Sequence, residues 1–209
     1  MNIPNYVPGH GLLRGKSVLI TAAAGAGIGY SVALRAAEEG CRALFISDIH
    51  EGRLQEAARK IREQTGLEQV FTQVCNVVDE TQVQGLIGAA ERGLGGVDVL
   101  INNAGLGGSR LLIEMSDEEW TRVLDVTLTG TMRMTRAMLP KMIERQAGVI
   151  VNNASVLGWR AQKEQSHYAA AKAGVMALTR CAAVEAAEHG IRINAVSPSI
   201  ALHDFLRKS

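Results

Sequence analysis

Short runs of apolar, largely β-branched residues recur along the chain between longer stretches of helical spacing. The runs 17–21, 43–47, 70–75, 97–102, 149–154 and 192–196 predict six strands. The stretches 28–39, 53–64, 80–94, 117–145 and 167–188, rich in Ala, Leu, Glu and Arg, predict five helices. The strand runs are nearly all apolar rather than alternating, as expected where helices cover both faces of a parallel sheet. Regular strand–helix alternation is the pattern of α/β proteins, so the expected fold is a doubly wound, Rossmann-like parallel sheet. One domain is expected over residues 1–209, with an irregular arm over 1–15.

Local signals sharpen the boundaries. Ser116 with Glu119 three residues on forms a capping box, and Gly40 and Gly190 stand where helices should end. Pro140, inside the stretch 117–145, is expected to kink or interrupt that helix.

Charge and composition remove several function classes. Lys and Arg number 22 against 21 Asp and Glu, so there is no overall field to hold a nucleic-acid backbone or an anionic membrane. No run approaches the roughly 18 apolar residues of a membrane span, and the first 15 residues lack the basic-then-apolar order of a secretory signal. A cytoplasmic protein is expected. Cys41, Cys75 and Cys181 are too far apart for a C-x-x-C pair, and the five histidines share no metal-ligand spacing, so no metal is expected.

The chemistry begins at the turn after the first strand. Residues 21–29 read Thr-Ala-Ala-Ala-Gly-Ala-Gly-Ile-Gly and open a helix whose amides and dipole favour a pyrophosphate. Gly25 permits the tight turn, Gly27 lets backbone approach phosphate, Gly29 permits close packing, and Ile28 begins the helix. Asp48 ends the second strand 19 residues beyond Gly29, where a ribose hydroxyl would lie. A carboxylate there favours NAD and repels the extra phosphate of NADP, with Arg53 and His50 close enough in sequence to soften the repulsion. Tyr168 and Lys172 stand at i and i+4 on one helix face, where an ammonium would favour the phenolate and so tune a general acid or base. Ser155, at the end of a predicted strand, offers a hydroxyl to hold a substrate oxygen.

Together, the glycine turn, the Asn102-Asn103-Ala104-Gly105 segment, Ser155, Tyr168, Lys172 and the segment Asn194-Ala195-Val196-Ser197-Pro198 resemble the short-chain dehydrogenase/reductase family. The motifs fall in family order along almost the whole chain. The resemblance implies hydride transfer between a nicotinamide cofactor and a secondary alcohol or ketone. Tyr168 would exchange the proton, Ser155 would orient the substrate, and Lys172 would lower the Tyr pKa and hold the nicotinamide ribose. Asn76, Val77, Asn103, Ala104, Gly105 and Pro198 would line the cofactor site, with Asn102 beside them. Thr127 matches the position of the family's catalytic Asn and Asn76 that of an Asp near the adenine. A homo-oligomer is implied as well. Family members continue beyond the Pro198 region with helices and a last strand, which this chain is expected to lack.

Residues 153–162, Asn-Ala-Ser-Val-Leu-Gly-Trp-Arg-Ala-Gln, and Ser197-Pro198-Ser199-Ile200 are similar to bacterial short-chain dehydrogenases of steroid-ring catabolism. This resemblance implies a CoA thioester of a hydroxy-methyl-oxo-indane propanoate as substrate. Arg110, Arg160 and Lys163 would be placed to meet CoA phosphates, Trp159 to wall a ring, and His167 to touch substrate. An NADP-dependent 3-oxoacyl thioester reductase is the nearest alternative. A cofactor-binding but catalytically silent relative is the alternative of another class, and a purely structural partner protein ranks last.

Overall fold

The computed structural model describes residues 6–199. The first five residues of the expected arm, and the carboxyl-terminal expectation concerning 200–209, lie outside the described residues. Within them the strands are β1 (Ser17–Ile20), β2 (Ala43–Asp48), β3 (Val70–Val74), β4 (Val99–Asn102), β5 (Gly148–Asn153) and β6 (Ile191–Val196). The helices are α1 (Ile28–Glu38), α2 (Glu51–Thr65), α3 (Glu80–Leu94), α4 (Asp117–Leu124), α5 (Gly130–Arg145) and α6 (Ser166–Ala187). All strand pairs are parallel and the order is β3-β2-β1-β4-β5-β6. The direction of winding reverses between β1 and β4, so a crevice opens at their carboxyl ends, where doubly wound sheets bind ligands.

Alternate residues of each strand feed opposite layers. Val18, Ile20, Leu44 and Ile46 pack with Ala33 and Ala36 of α1 and Leu54, Ala58 and Ile61 of α2. Leu19, Phe45, Leu100 and Ile150 face the other way, onto α3, α5 and Ala182 and Ala186 of α6. Burial on both faces is the physical reason the strands read as apolar throughout.

Ser116 caps α4 as expected, its hydroxyl accepting from the Glu119 amide while the Glu119 carboxylate accepts from the Ser116 amide. Gly40 and Gly190, with φ of +77° and +71°, take the left-handed conformation that follows a helix. Pro140 does not interrupt the helix: α5 continues through it to Arg145. Pro140 and Arg136, whose carbonyl it leaves without a helical partner, both lie on the exposed face, where water can serve instead. The interruption of 117–145 falls upstream, at a five-residue π turn, Asp125–Thr129. Two short 3₁₀ segments, Leu112–Glu114 and Val156–Gly158, were also not foreseen.

The described part of the arm is held against the end of α1. Buried Glu39 accepts from the His10 and Leu12 amides at 2.8 and 3.0 Å and pairs with Arg35, whose guanidinium donates to the Val7 carbonyl. The Leu12 amide foremost, with His10 and Arg35, holds the Glu39 carboxyl down at about 2 against an ordinary 4.5. Because its folded pKa is depressed, Glu39 contributes its full stabilisation above the unfolded value and loses it as pH falls from about 4.5 towards 2. Protection of the His10 and Leu12 amides, taken relative to the intrinsic exchange rate at each pH, is therefore expected to fall in acid, and in Glu39→Gln already at neutral pH. Equal protection in that variant would contradict the latch.

Candidate active site

The site is built at the carboxyl ends of β1, β2, β4 and β5. A cleft of about 740 Å³ opens there, with Ala22, Asp48, Asn76, Val77, Ala104 and Gly105 in its wall. Gly25 holds φ at +88°, and a Cβ on Gly27 would meet nothing within 4 Å, which leaves the turn open for a phosphate. Gly29 is the opposite case. A Cβ there would lie 2.2 Å from the Ala22 carbonyl oxygen and 2.5 Å from Asn103 Nδ2, so the turn closes onto the loop after β4 only with glycine at this position. Ile28 starts α1.

Asp48 accepts from the Ala24 amide at 3.2 Å and the His50 amide at 3.1 Å, bracing the glycine turn from β2. Burial pushes its carboxyl up, and the Ala24 amide and Arg53 pull it back. Asn76 accepts from the Val78 amide at 3.3 Å. Val77 packs so closely on Gly130 that a Cβ there would lie 2.7 Å from it.

Asn102 departs from its expected place. It is buried between layers, donating to Thr135 Oγ1 at 3.0 Å and Asn152 Oδ1 at 2.9 Å, and is absent from the cleft wall. Its position on the last residue of β4 turns the side chain into the core. Asn103 faces the turn instead and donates to the Thr21 and Ala22 carbonyls at 3.2 and 3.0 Å.

Tyr168, Lys172 and Ser155 come together where α6 passes the end of β5. Ser155 is 8% exposed and accepts from the Leu157 amide at 3.2 Å. Pro198 lies beside it, its carbonyl accepting from the Val156 amide at 3.0 Å. Lys172 is 3% exposed, donates to the Asn153 carbonyl at 2.5 Å and holds its ammonium 5.6 Å from the centre of the Tyr168 ring. Burial pulls the Lys172 pKa down to about 8. The expected lowering of the Tyr168 pKa is corrected: burial pushes the phenol up, and the hydrogen bond with Ser155 pulls it only partly back. The cation lies over the ring face rather than at the phenol oxygen, so its effect on the hydroxyl is weak.

Thr127 sits in the π turn, fully buried. Its hydroxyl accepts from the Leu106 amide at 3.0 Å and donates to the Leu106 carbonyl at 3.2 Å. Both hydrogen-bonding roles are thus filled by the loop after β4, and Lys172 lies across Gly105 from it. That loop packs on α6: a Cβ on Gly107 would touch the Tyr168 ring and one on Gly108 would reach 3.4 Å from His167 Nε2. His167 is 2% exposed, covered by the loop rather than open to substrate.

The loop charges divide. Arg110 has its guanidinium donating to Glu119 at 2.8 and 3.0 Å, an exposed pair that a phosphate would have to displace. Trp159, 71% exposed, stands with exposed Arg160 and Lys163 on the segment leading into α6. Among the described residues no group of three His, Cys, Asp or Glu side chains is placed to hold a metal ion, and no helix is long and apolar enough to cross a membrane.

Sequence reasoning passed over Asn153 and Gln165. Asn153 donates to Asn103 Oδ1 at 2.8 Å, and Gln165 donates to the Gly108 carbonyl at 2.8 Å. The signal for Asn153 was present, since a polar pair ends the otherwise apolar run of β5.

A doubly wound sheet with this turn and this Ser-Tyr-Lys cluster defines a nicotinamide-dependent oxidoreductase class, and the family model for short chain dehydrogenase matches residues 16–209. The chain belongs to the short-chain dehydrogenase family. It is 58% identical over 207 residues, 99% of this chain and 78% of the relative, to a Mycobacterium tuberculosis protein named (5R,7aS)-5-hydroxy-7a-methyl-1-oxo-2,3,5,6,7,7a-hexahydro-1H-indene-carboxyl-CoA reductase. A Thermotoga maritima 3-oxoacyl-acyl-carrier-protein reductase is 39% identical, with 89% of this chain and 74% of the relative covered. Among solved structures, a short chain dehydrogenase from Mycobacterium smegmatis superposes with a TM-score of 0.92 at 57% identity, covering 96% of this chain and 83% of that one. NAD+-bound xylitol dehydrogenase superposes at 0.89 with 34% identity, covering 93% and 74%.

Proposed function

We propose that the protein reduces or oxidises a ring carbonyl or alcohol carried on a CoA thioester, with NAD as the favoured cofactor. The observation that carries this reading is the meeting of Ser155, Tyr168 and Lys172 at the same sheet end as the glycine-turn cleft. The residues fit a dinucleotide: Gly25, Gly27, Ile28 and Gly29 would hold the pyrophosphate at the start of α1, and Asp48 the adenosine ribose. Asn76, Val77, Ala104 and Gly105 would flank the adenine half, and Lys172 and Pro198 the nicotinamide half. Asn103 supports the turn from behind. When bound, the nicotinamide supplies or takes up the hydride.

The chain's own residues move the proton and hold the substrate. Tyr168 stays protonated at neutral pH, because burial raises its pKa, and so is set to donate to a carbonyl oxygen becoming an alkoxide. Ser155 donates to the same oxygen and orients it. Lys172, as an ammonium, donates to ribose hydroxyls. Thr127 acts by fixing Leu106 rather than by touching substrate. With Lys172 titrating near 8, NADH affinity is expected to weaken as pH rises through about 8, and a flat titration there would remove Lys172 from the ribose contact.

Support for the substrate class comes from the M. tuberculosis relative and from Trp159, Arg160 and Lys163, an apolar wall followed by two cations of the kind CoA phosphates require. A cytoplasmic homo-oligomer is part of the same reading. Association is supported by the row Ala173, Ala177, Cys181 and Val184, which α6 exposes at helical spacing.

A second reading, an NADP-dependent 3-oxoacyl thioester reductase, is favoured by one observation. Arg53 and Lys60 line a cleft of about 590 Å³ beside Gly25 and Ala26, on the side where an added phosphate would be neutralised. Titrating NADH and NADPH by fluorescence, then comparing a bicyclic ketone CoA thioester with a linear 3-oxoacyl thioester, separates the two. NADH preference with turnover of the bicyclic substrate is expected; NADPH preference with turnover of the linear one would overturn it. Asp48→Ala is expected to erase most of the preference for NADH over NADPH, and unchanged discrimination would remove Asp48 from the ribose site.

A further inference from the structure

Three amide groups connect the catalytic lysine to the glycine turn. Lys172 Nζ donates to the Asn153 carbonyl at 2.5 Å, Asn153 Nδ2 donates to Asn103 Oδ1 at 2.8 Å, and Asn103 Nδ2 donates to the Thr21 and Ala22 carbonyls. The Asn103 and Ala104 amides also donate to Thr21 Oγ1, at 3.0 and 3.1 Å. Every bond runs in the same sense: at Asn153 the backbone carbonyl accepts from the lysine while the side-chain amide donates onward, and the Asn103 amide both accepts from Asn153 and donates to the turn.

The far end of the chain is under backbone strain. Ala22 holds φ at +51°, in the left-handed region that a residue with a Cβ rarely adopts. Its carbonyl oxygen is thereby aimed at Asn103 Nδ2 and at the face of Gly29. Strain of this kind persists only where surrounding contacts over-determine it. Asn103 supplies that contact, and Asn103 is oriented in turn by Asn153. The other oxygen of Asn153, Oδ1, is buried without a hydrogen-bond partner among the described residues. Packing alone would be served better here by an apolar side chain.

Accepting the dinucleotide reading above, we infer that Asn153 is a positioning residue that couples the phosphate-binding turn to Lys172. Its side chain holds Asn103 against the strained Ala22 turn and its backbone carbonyl holds the ammonium, so that a shift of the side chain moves both and both halves of the cofactor meet prearranged groups.

The test is a double-mutant cycle on NADH affinity, measured by fluorescence with the full chain. Asn153→Leu, of similar size but without the amide, is expected to weaken NADH binding about tenfold, the effect of one lost buried hydrogen bond. In a Lys172→Met background the same change is expected to cost clearly less, because one of the two coupled contacts is already gone. Thr135→Val breaks the neighbouring buried bond to Asn102 without touching this chain of amides, and is expected to leave NADH affinity unchanged. Should Asn153→Leu fail to fold, Asn153→Ser carries the same expectation. Unchanged NADH affinity in the Asn153 variant, even with a lowered melting temperature, would overturn the inference. So would losses that simply multiply in the double variant, or an equal loss in Thr135→Val. A parent chain that binds no dinucleotide would instead overturn the functional reading itself.

Discussion

Tyr168→Phe is expected to lower turnover by about 10²–10⁴-fold, the range that a positioned general acid supplies, while NADH affinity stays near that of the parent. The phenol ring lies where a Cβ on Gly107 would touch it and under the Lys172 ammonium, and Phe keeps that packing. What Phe removes is the hydroxyl on the Ser155 side of the ring. The loss should therefore appear in kcat and not in cofactor binding, a split that steady-state kinetics with a parallel fluorescence titration reads directly. A variant with normal turnover would remove Tyr168 from the proton transfer.

Gly29→Ala is expected to produce the second large effect, at the other end of the cleft. The added methyl would stand 2.2 Å from the Ala22 carbonyl oxygen and 2.5 Å from Asn103 Nδ2, and the first of these is backbone with little room to yield. Overpacking of this kind costs about 1–3 kcal/mol. If the turn opens to relieve it, NADH affinity falls by roughly ten- to a hundredfold at 1.4 kcal/mol per decade. Gly27→Ala, where a Cβ meets no protein atom, is the informative partner: its fold should be unaffected, so any loss of NADH binding reports the space that a phosphate needs. Full NADH affinity in Gly29→Ala would mean that closure of the turn onto Asn103 does not matter for the cofactor.

Much of this architecture was legible in the chain. The strand runs and helical stretches fall within a residue or two of the observed elements for β1 to β6, because strands buried on both faces must be apolar and short. The turn glycines, Asp48, Ser155, Tyr168 and Lys172 were singled out as a candidate site by residue type and spacing, and the structure brings them to one end of the sheet. What escaped depended on contacts between distant segments. Nothing local marks Asp125–Thr129 as a π turn; its shape goes with Thr127 bonding Leu106 and Gly130 packing under Val77. The break expected in 117–145 is present but not at Pro140, which sits on the exposed face of α5 and leaves the helix continuous. Arg110 and Glu119 pair across nine residues, and Asn103 and Asn153 across fifty, distances at which spacing carries no information. The direction of the Tyr168 pKa likewise follows from burial, which the i, i+4 spacing with Lys172 does not report.

The proposed reaction is hydride transfer between NADH and a ring ketone on a CoA thioester. The most direct measurement is the loss of nicotinamide absorbance when the parent and Tyr168→Phe are each mixed with NADH and a bicyclic ketone CoA thioester. The account predicts consumption of NADH by the parent and next to none by the variant. Consumption at the same rate by both, or by neither although NADH is bound, would contradict it.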